Sequence, residues 1–390
     1  MKKTWKNLRK ICGEVLVCAG MMSSIGLFTA CGPAPGEEPV AQTIQPILPE
    51  NTGVVDVVAE GDVSANNTSV SESPETISIT ISATGDVTLG NYEGQDYSWS
   101  FRQTYDTTAD KGYFLENVKD IFEQDDMTLV NLEGVLTYAT ELNPGRTYNI
   151  KGDPEYANIL SLGSVEAVSM ANNHRLDFWD KGSKDTLEAL APLGIVYAYD
   201  NNVGIYETKG IRIGYVAVNE IGWGQGIEKL MTDGIAKLKE QDVDLILACC
   251  HWGIERDFYP TDYQKTFGRK CIDWGADMVI GHHPHVLQGV EEYQGKYIIY
   301  SLANFCFGAN RNPVDKDTMI VQQTFYFVEG QKQEDTELRM IPCSVSSISS
   351  RNDYKPTPAT GDDALRIINR VNEYSSGMGV QFDANGYVIK

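Results

Sequence analysis

Three of the five histidines in this sequence stand together in the segment Gly-His-His-Pro-His, as His282, His283 and His285. Histidine titrates near neutral pH and is the commonest protein ligand of metal ions. The segment therefore predicts a metal site or an acid–base site. An affinity tag is a poor interpretation, because the segment is internal and follows an apolar run.

Side chains with the same chemistry recur where other apolar runs end. The two remaining histidines, His174 and His251, each follow such a run, and the carboxylates of Asp86 and Glu133 follow others. Imidazole and carboxylate ligands together suit zinc, iron or manganese. The pattern predicts a site for a divalent transition metal.

The elements that must position these residues alternate between strand and helix over most of residues 77–305. This alternation is typical of an α/β fold, in which ligands bind beyond the carboxyl ends of the strands. Because almost every predicted strand ends in Asp, Glu, Asn or His, we expect these ends to converge on one site. The predicted strands cover 77–86, 127–133, 166–174, 211–220, 243–253, 276–285 and 296–305, and the predicted helices cover 114–124, 154–163, 181–194, 226–241, 262–275 and 361–376.

The histidine segment follows a predicted strand, so alternation along an extended backbone predicts which side chains face the site. Side chains at positions i and i+2 point the same way, and Pro284 favours an extended conformation at His283. We therefore expect His283 and His285 to face the metal and His282 to face away from it.

The first 30 residues predict a lipoprotein signal peptide. A basic start precedes an apolar stretch that ends in Leu-Phe-Thr-Ala-Cys at Cys31, the predicted lipidated residue. A transmembrane helix is a weaker interpretation, because Glu14 interrupts the run and leaves it short. Residues 31–75, rich in Pro, Gly, Ser, Asn and Glu, predict a disordered tether. We expect a protein anchored by lipid to the outer side of the cell membrane.

The composition limits the partners of this chain. Its formal net charge of −22 argues against nucleic acid, whose binding requires Lys and Arg to neutralise phosphates. The same charge means that an anionic substrate must be held by a local cation or a metal. The scattered cysteines beyond Cys31 do not form a disulfide framework and predict small buried residues.

Several motifs, in one order, resemble a known family. The segments ATGDVTLG, VNLEGVLT, SMANNHRLDF, CCHWGIE and GHHPHVLQGVEEYQGKYIIYSLANF resemble those of the bacterial capsule synthesis protein CapA, also called the poly-γ-glutamate biosynthesis protein PgsA. The resemblance covers roughly residues 77–310. It implies a relation to the calcineurin-like metallophosphoesterases, and hence a four-layer αββα sandwich with two divalent ions (Mn, Fe or Zn). The domain would span 76–350, with residues 351–390 forming a helix and tail packed on it.

The resemblance also implies roles for individual residues. The implied metal ligands are Asp86, Glu133 at the bridging position, Asn173, His251, His283 and His285. The implied catalytic pair is Asn173 and His174, with His174 near the substrate. Arg175 is either an outward surface charge or an anion hook. Substrate-binding or supporting roles fall to Asn131, Asn172, Arg175, Asp177, Glu255, His282 and Asn304.

Three positions depart from the pattern of these families. Phosphoesterases place a histidine where this chain has Thr88, and their bridging residue is usually Asp rather than Glu133. The family segment SLGNF is SLANF here, with Ala303 in place of glycine. Glycine permits a tight backbone turn, so Ala303 is expected to shift Asn304.

These observations favour a metal-dependent hydrolase or transferase that acts on a cell-envelope polymer. The substrate would be the γ-glutamyl amide of poly-γ-glutamate or a phosphodiester, and capsule synthase membrane proteins would be partners. A non-catalytic, polymer-binding scaffold of a capsule assembly complex is the alternative. A secreted metallophosphoesterase is a third interpretation, weakened by Thr88.

Overall fold

The computed structural model describes residues 42–44, 76–222 and 226–389. The predicted signal peptide, the lipidation site Cys31 and all but three residues of the predicted tether lie outside the described residues. Among the described residues, no helix combines the length and the apolar character needed to cross a bilayer.

The described part of the chain is a mixture of short helices and many strands. The helices are α1 (Phe101–Thr107), α2 (Glu116–Phe122), α3 (Ala157–Leu162), α4 (Trp179–Leu190), α5 (Ile227–Glu240), α6 (Asp262–Trp274) and α7 (Gly361–Tyr374). The strands are β1 (Gln42–Ile44), β2 (Thr76–Thr88), β3 (Asn91–Tyr92), β4 (Met127–Leu132), β5 (Val135–Leu136), β6 (Ile150–Gly152), β7 (Ala167–Ser169), β8 (Val196–Ala198), β9 (Gly204–Thr208), β10 (Ile211–Asn219), β11 (Leu245–His251), β12 (Met278–His282), β13 (Val290–Tyr293), β14 (Lys296–Ile299), β15 (Asn304–Phe307), β16 (Asp317–Val328), β17 (Gln331–Ser344) and β18 (Thr357–Pro358).

The strands form two large sheets. One has the order β1-β9-β10-β11-β12-β14-β13, and the other has the order β18-β17-β16-β2-β4-β7-β8, with β15 paired to β2. Strands β2, β4 and β7 are mutually parallel, as are β10, β11 and β12. The carboxyl ends of each parallel set therefore lie at one edge of its sheet.

Alternation along the strands divides the core into layers. In β11, Leu245, Leu247 and Cys249 face the other sheet, while Ile246 and Cys250 face helices α5 and α6. Helices α1 to α4 cover the outer face of the second sheet. Apolar side chains on both faces of each sheet require cover on both sides. The result is the predicted four-layer αββα sandwich, which is confirmed.

Helix α6 shows how local sequence fixes an element. The Thr261 hydroxyl accepts the backbone N–H of Gln264, whose side chain accepts the backbone N–H of Thr261. This capping box satisfies two donors that a helix start leaves free. Gly275, with a φ of 118°, ends the helix in the left-handed conformation that glycine adopts without strain.

The predicted strand 296–305 is wrong in one respect, because it is two strands in different sheets. Strand β14 ends at Ile299 beside β12, and β15 begins at Asn304 beside β2. Between them Ala303 has a φ of 65° and accepts the backbone N–H of Asp86 at 2.8 Å. The backbones are so close that a Cβ on Gly85 would lie 2.2 Å from the Ala303 carbonyl oxygen.

The left-handed conformation of Ala303 gives a testable expectation. An L-residue in this conformation costs about 1–2 kcal/mol that glycine does not incur. We expect both Ala303→Gly and Ala217→Gly, a change at a similarly buried alanine in β10, to lower the free energy of unfolding. The decrease should be about 1–2 kcal/mol smaller for Ala303→Gly, because glycine adopts the left-handed conformation without that cost. Urea denaturation of both variants measures the difference. Equal destabilisation by the two changes would contradict the expectation.

The predicted tether and the C-terminal segment also have described structure. Residues 42–44, predicted to be disordered, form β1 and pair in parallel with β9. At the other end, α7 contributes Ile367, Ile368 and Val371 to the apolar layer between the sheets.

Candidate metal centre

The polar strand ends meet where the carboxyl edges of the two sheets face one another. Asp86 lies in β2, Glu133 follows β4, His251 ends β11 and His282 ends β12. Contacts between β2 and the histidine segment join the two sheets, because the backbone N–H of His283 lies 3.4 Å from Asp86 Oδ2. Side chains distant in sequence therefore share one buried site.

Glu133 lies at the centre of this site. Its side chain is fully buried, and neither carboxylate oxygen has a hydrogen-bond partner among the described residues. Its Oε1 lies 3.8 Å from the Nε2 atoms of three imidazoles, those of His174, His251 and His285. A buried charge is costly unless it is paired or binds a metal. The residues present therefore fit a divalent cation.

A compact set of ligand atoms includes this carboxylate. Atoms of Glu133, His283 and His285 lie within 4.8 Å of one another. His283 Nδ1 is buried and has no hydrogen-bond partner in the described part of the chain. A carboxylate and an imidazole, both buried without hydrogen-bond partners among the described residues, thus face the same small volume. Such an arrangement is typical of a metal site.

Asp86 contacts the ring nitrogen of His285 that is turned away from Glu133. Nδ1 of His285 lies 2.9 Å from Asn304 Oδ1 and 3.1 Å from Asp86 Oδ2, while Nε2 faces Glu133. The other oxygen of Asp86 accepts a hydrogen bond of 2.9 Å from Asn131 Nδ2. Such contacts fix the ring orientation of a metal-ligating histidine. Asp86 thus borders the compact set, and its predicted role as a metal ligand stays a prediction.

His251 contacts the neighbouring amides. Its Nε2 lies 2.7 Å from Asn173 Oδ1, and its Nδ1 lies 3.3 Å from Asn131 Nδ2. The His251 and His283 rings are 4.8 Å apart between centroids. Asn173 and His251 therefore form a second pair of candidate ligands beside Glu133.

His174 is held with one ring nitrogen toward the site. Its Nδ1 donates to Asp177 Oδ2 at 2.7 Å, and Asp177 is itself buried and accepts the backbone N–H of Ile150. Asn172 accepts the backbone N–H of His174 and donates to the carbonyl of Leu132. These bonds leave Nε2 of His174 directed toward Glu133.

The prediction that residues 282–285 are extended is wrong. His283 has a φ of 97° and His285 a φ of 57°, so both occupy the left-handed half of conformational space. His282 stays in β12, where its Nε2 lies 3.0 Å from the Thr84 carbonyl oxygen. His283 and His285 reach Glu133 through these backbone conformations and not through strand alternation. Their ligand roles remain predictions.

The electrostatics follow from burial and proximity. Burial raises the pKa of Glu133 to about 7, against the opposing charge of His285. Burial would lower the pKa of His285, but the charges of Glu133 and Asp86 raise it to about 10. Burial lowers the pKa of His283 to about 4. Burial would also lower the pKa of His174, but the bond to Asp177 and the charge of Glu133 raise it above its ordinary value.

A cavity of about 810 Å³ opens over Glu133, His174 and His285. This volume falls in the range of small-molecule sites, about 300–1,000 Å³. Asn304 and Glu255 also line it, as do Arg256, Phe258 and residues 309–315. Arg256 and residues 309–315 lie between regular elements, so no periodic pattern in the sequence marks them.

Arg175 is not an outward surface charge, and its role as an anion hook stays a prediction. Its guanidinium pairs with Asp200 at 2.5 Å and lies 4.7 Å from the centroid of the Tyr199 ring. Arg175 is not one of the described residues that line the cavity over Glu133, His174 and His285. The pairing with Asp200 partly compensates the charge that such a hook would use.

Thr88 and Ala303, two of the positions that depart from the family pattern, both lie near the site. Thr88 is buried, and its hydroxyl has no hydrogen-bond partner among the residues that the structure describes. Ala303 keeps the left-handed turn that glycine would adopt, and Asn304 still contacts His285. The turn therefore persists without glycine.

The fold and the buried ligands define a protein with a two-sheet scaffold and a candidate metal centre at the carboxyl ends of its strands. Residues 80–309 match the sequence pattern of the family described as bacterial capsule synthesis protein PGA_cap. Since the match covers more than half of the chain, the chain belongs to this family, and the resemblance inferred from its motifs is confirmed.

Named relatives agree with this assignment. The chain is 27% identical over 251 residues to the PGA biosynthesis protein CapA of Bacillus subtilis (strain 168), covering 59% of this chain and 63% of that protein. It is 28% identical over 235 residues to the capsule biosynthesis protein CapA of Bacillus anthracis, covering 54% and 57%. The chain thus spans less than two thirds of the length of these relatives.

Solved structures are more distant. A hypothetical protein from Thermus thermophilus is 13% identical with a TM-score of 0.41, covering 68% of this chain and 99% of that one. A 5'-nucleotidase from Candida albicans is 12% identical with a TM-score of 0.37, covering 78% and 58%.

Proposed function

We propose that this protein is a divalent-metal-dependent hydrolase or transferase that acts on a cell-envelope polymer. The observation that carries the proposal is the buried carboxylate of Glu133, which has no hydrogen-bond partner among the described residues and is surrounded by imidazoles. Such a carboxylate is favourable in a folded protein when a cation compensates its charge.

Two sets of residues would hold metal. Glu133, His283 and His285 form the compact set, and Asn173 with His251 would complete a second position beside Glu133. Manganese, iron and zinc suit these ligands. A bound divalent ion supplies Lewis acidity toward a phosphoryl or carbonyl oxygen and a hydroxide nucleophile at neutral pH.

The other residues bind, orient and move protons. Asp177 holds the Nδ1–H of His174, so the Nε2 atom of His174 faces the cavity and can donate a proton to a leaving group. Asp86 and Asn304 fix the ring of His285. Asn131 and Asn172 link these groups by amide hydrogen bonds.

The family and the N-terminal sequence support a proposal for the polymer and for the location of the protein. The relatives are named for the biosynthesis of PGA and of capsule. We infer for this chain a substrate such as poly-γ-glutamate or an envelope phosphodiester, and capsule synthase membrane proteins as partners. Lipid on Cys31 would place the domain outside the cytoplasmic membrane.

Two measurements on the purified protein test the proposed function, its metal content and its ability to hydrolyse a set of candidate substrates. We expect the purified protein to retain Mn, Fe or Zn after dialysis, and to cleave poly-γ-glutamate or a model phosphodiester in a metal-dependent manner. Elemental analysis and product chromatography measure both. A metal-free protein that cleaves neither substrate, yet binds the polymer, would favour the scaffold alternative.

The lipid anchor has its own test. We expect Cys31→Ser to move the protein from the membrane fraction to the medium, because the substitution removes the thiol that would carry lipid. Fractionation of expressing cells and immunoblotting measure the distribution. Identical distributions of wild type and variant would contradict lipidation.

A further inference from the structure

The cavity over the candidate metal centre has a second chemical feature. Its wall carries two guanidinium groups, those of Arg256 and Arg311. Arg311 donates to the carbonyl of Ser98 at 2.9 Å and lies 3.9 Å from the carboxylate of Asp96. The guanidinium of Arg256 has no hydrogen-bond or ion-pair partner in the part of the chain that the structure describes. Arg256 therefore presents a free planar cation to the cavity.

The backbone ties Arg256 to the histidine segment. Its N–H donates to the carbonyl oxygen of Pro284 at 2.8 Å, between His283 and His285. Its φ of 63° is in the left-handed region, which residues other than glycine rarely adopt. Strained residues persist where the surrounding structure holds them, and they cluster at functional sites. The conformation fixes the backbone of Arg256 beside the histidine segment, and the exposed side chain remains accessible to a ligand.

The acidic groups near the cavity make a local cation necessary for binding an anionic substrate. Asp315 is neutralised by Arg370, whose nitrogens lie 2.5 and 3.0 Å from its two oxygens. Glu133 belongs to the candidate metal centre. Glu255, beside Arg256 in sequence, adds a negative charge to the cavity wall. With a chain net charge of −22, an anionic substrate is repelled unless a local cation holds it.

We propose that Arg256 is the specificity-determining residue of this cavity and binds an anionic oxygen group of the substrate, a carboxylate or a phosphodiester, beside the bond that lies at the metal centre. The inference rests on the proposed function and adds the residue that recognises the anionic group of the substrate. A guanidinium binds either group through two parallel hydrogen bonds, which gives direction as well as affinity.

Binding of defined oligomers to the full protein tests the inference. The probes are a fluorescent γ-glutamyl oligomer with free carboxylates, the same oligomer with methyl-esterified carboxylates, and a glycerol-phosphate oligomer. Fluorescence anisotropy gives each Kd. We expect Arg256→Gln to weaken binding of one anionic oligomer about 10- to 100-fold, and Arg256→Lys to recover part of the loss. The oligomer that shows this loss identifies the source of the anion.

Two variants of the same wall serve as matched controls. Glu255→Gln is expected to tighten binding of the anionic oligomer, because it removes a negative charge. Arg311→Gln is expected to have a smaller effect than Arg256→Gln, because the Arg311 guanidinium is already paired. The esterified oligomer should bind wild type and Arg256→Gln equally. Where an oligomer is cleaved, the loss should appear in KM and not in kcat.

The outcomes separate this inference from the proposed function. Metal content is measured for every variant, and a wild type without metal or hydrolysis refutes the proposed function. A wild type that holds metal, but binds no anionic oligomer or binds it as Arg256→Gln does, overturns the inference alone. Equal weakening by Arg311→Gln would also overturn it, because the effect would then be general to cavity charge.

Discussion

Replacing Glu133 by glutamine is expected to lower metal affinity on the order of 100-fold or more, beyond the 10–100-fold typical of groups that only support ligands. Metal-dependent hydrolysis should be lost with the metal. Glutamine keeps the size of the side chain but removes the charge that would bind the cation. Elemental analysis after dialysis and a hydrolysis assay measure the two effects.

The stability of the same variant gives a second measurement. Because the cost of burying the Glu133 carboxylate exceeds the attraction of the imidazoles 3.8 Å away, which is why its pKa is raised, glutamine should be tolerated without metal. The chelator-treated variant should therefore melt at or above the temperature of chelator-treated wild type. The rise in melting temperature on adding Mn, Fe or Zn should be small in the variant and large in the wild type. A variant less stable than wild type after chelation would assign Glu133 a structural role instead.

The histidine segment supplies matched controls. His283→Ala and His285→Ala should be metal-poor like Glu133→Gln, since each removes a member of the compact ligand set. His282→Ala should keep most of its metal, because His282 bonds to the Thr84 carbonyl. Circular dichroism and melting first establish that each variant is folded. Metal loss in His282→Ala, with retention in His283→Ala, would contradict the ligand assignment.

His174→Ala is expected to keep its metal and to lose about 10²- to 10⁴-fold in the rate of hydrolysis. The imidazole has a raised pKa, which the bond to Asp177 and the charge of Glu133 sustain against burial. It is therefore suited to hold a proton for a leaving group. Single-turnover rates and metal analysis measure the effect.

The choice of leaving group makes this second prediction specific. A nitrophenolate leaves readily without a proton, whereas an alkoxide or amine requires one. His174→Ala should thus impair cleavage of an alkyl phosphodiester or amide far more than cleavage of a nitrophenyl ester. Asp177→Asn, which weakens the support of His174, should show a smaller loss of the same kind. Equal losses on both substrates would contradict proton donation.

Local sequence was enough to identify the class of the fold as α/β, whereas the four layers were implied by the resemblance to a family. The alternating isoleucines of residues 77–86 predict a half-buried strand, and the structure buries most of β2 and all of β11 on both faces. The polar residues at the strand ends were also visible as a pattern. Parallel strands bring their carboxyl ends to one edge, so the approximate location of the site followed from fold class.

The tertiary structure decided how those residues are presented. His283, His285 and Ala303 adopt left-handed conformations that their side chains do not favour, and Pro284 predicts an extended neighbour instead. Contacts with β2 hold them, as in the hydrogen bonds from the backbone N–H of Asp86 to Ala303 and from that of His283 to the Asp86 carboxylate. Local preference could not reveal a conformation that distant residues impose.

Pairings between distant segments were likewise beyond the sequence pattern. The split between β14 and β15 depends on which sheet offers a free strand edge, and the pairing of Arg175 with Asp200 depends on where two loops meet. The free guanidinium of Arg256 becomes visible only when the partners of every other charge in the cavity wall are known. Residue type and spacing thus determined the chemistry available to this protein, whereas long-range contacts determined which groups are directed into the site.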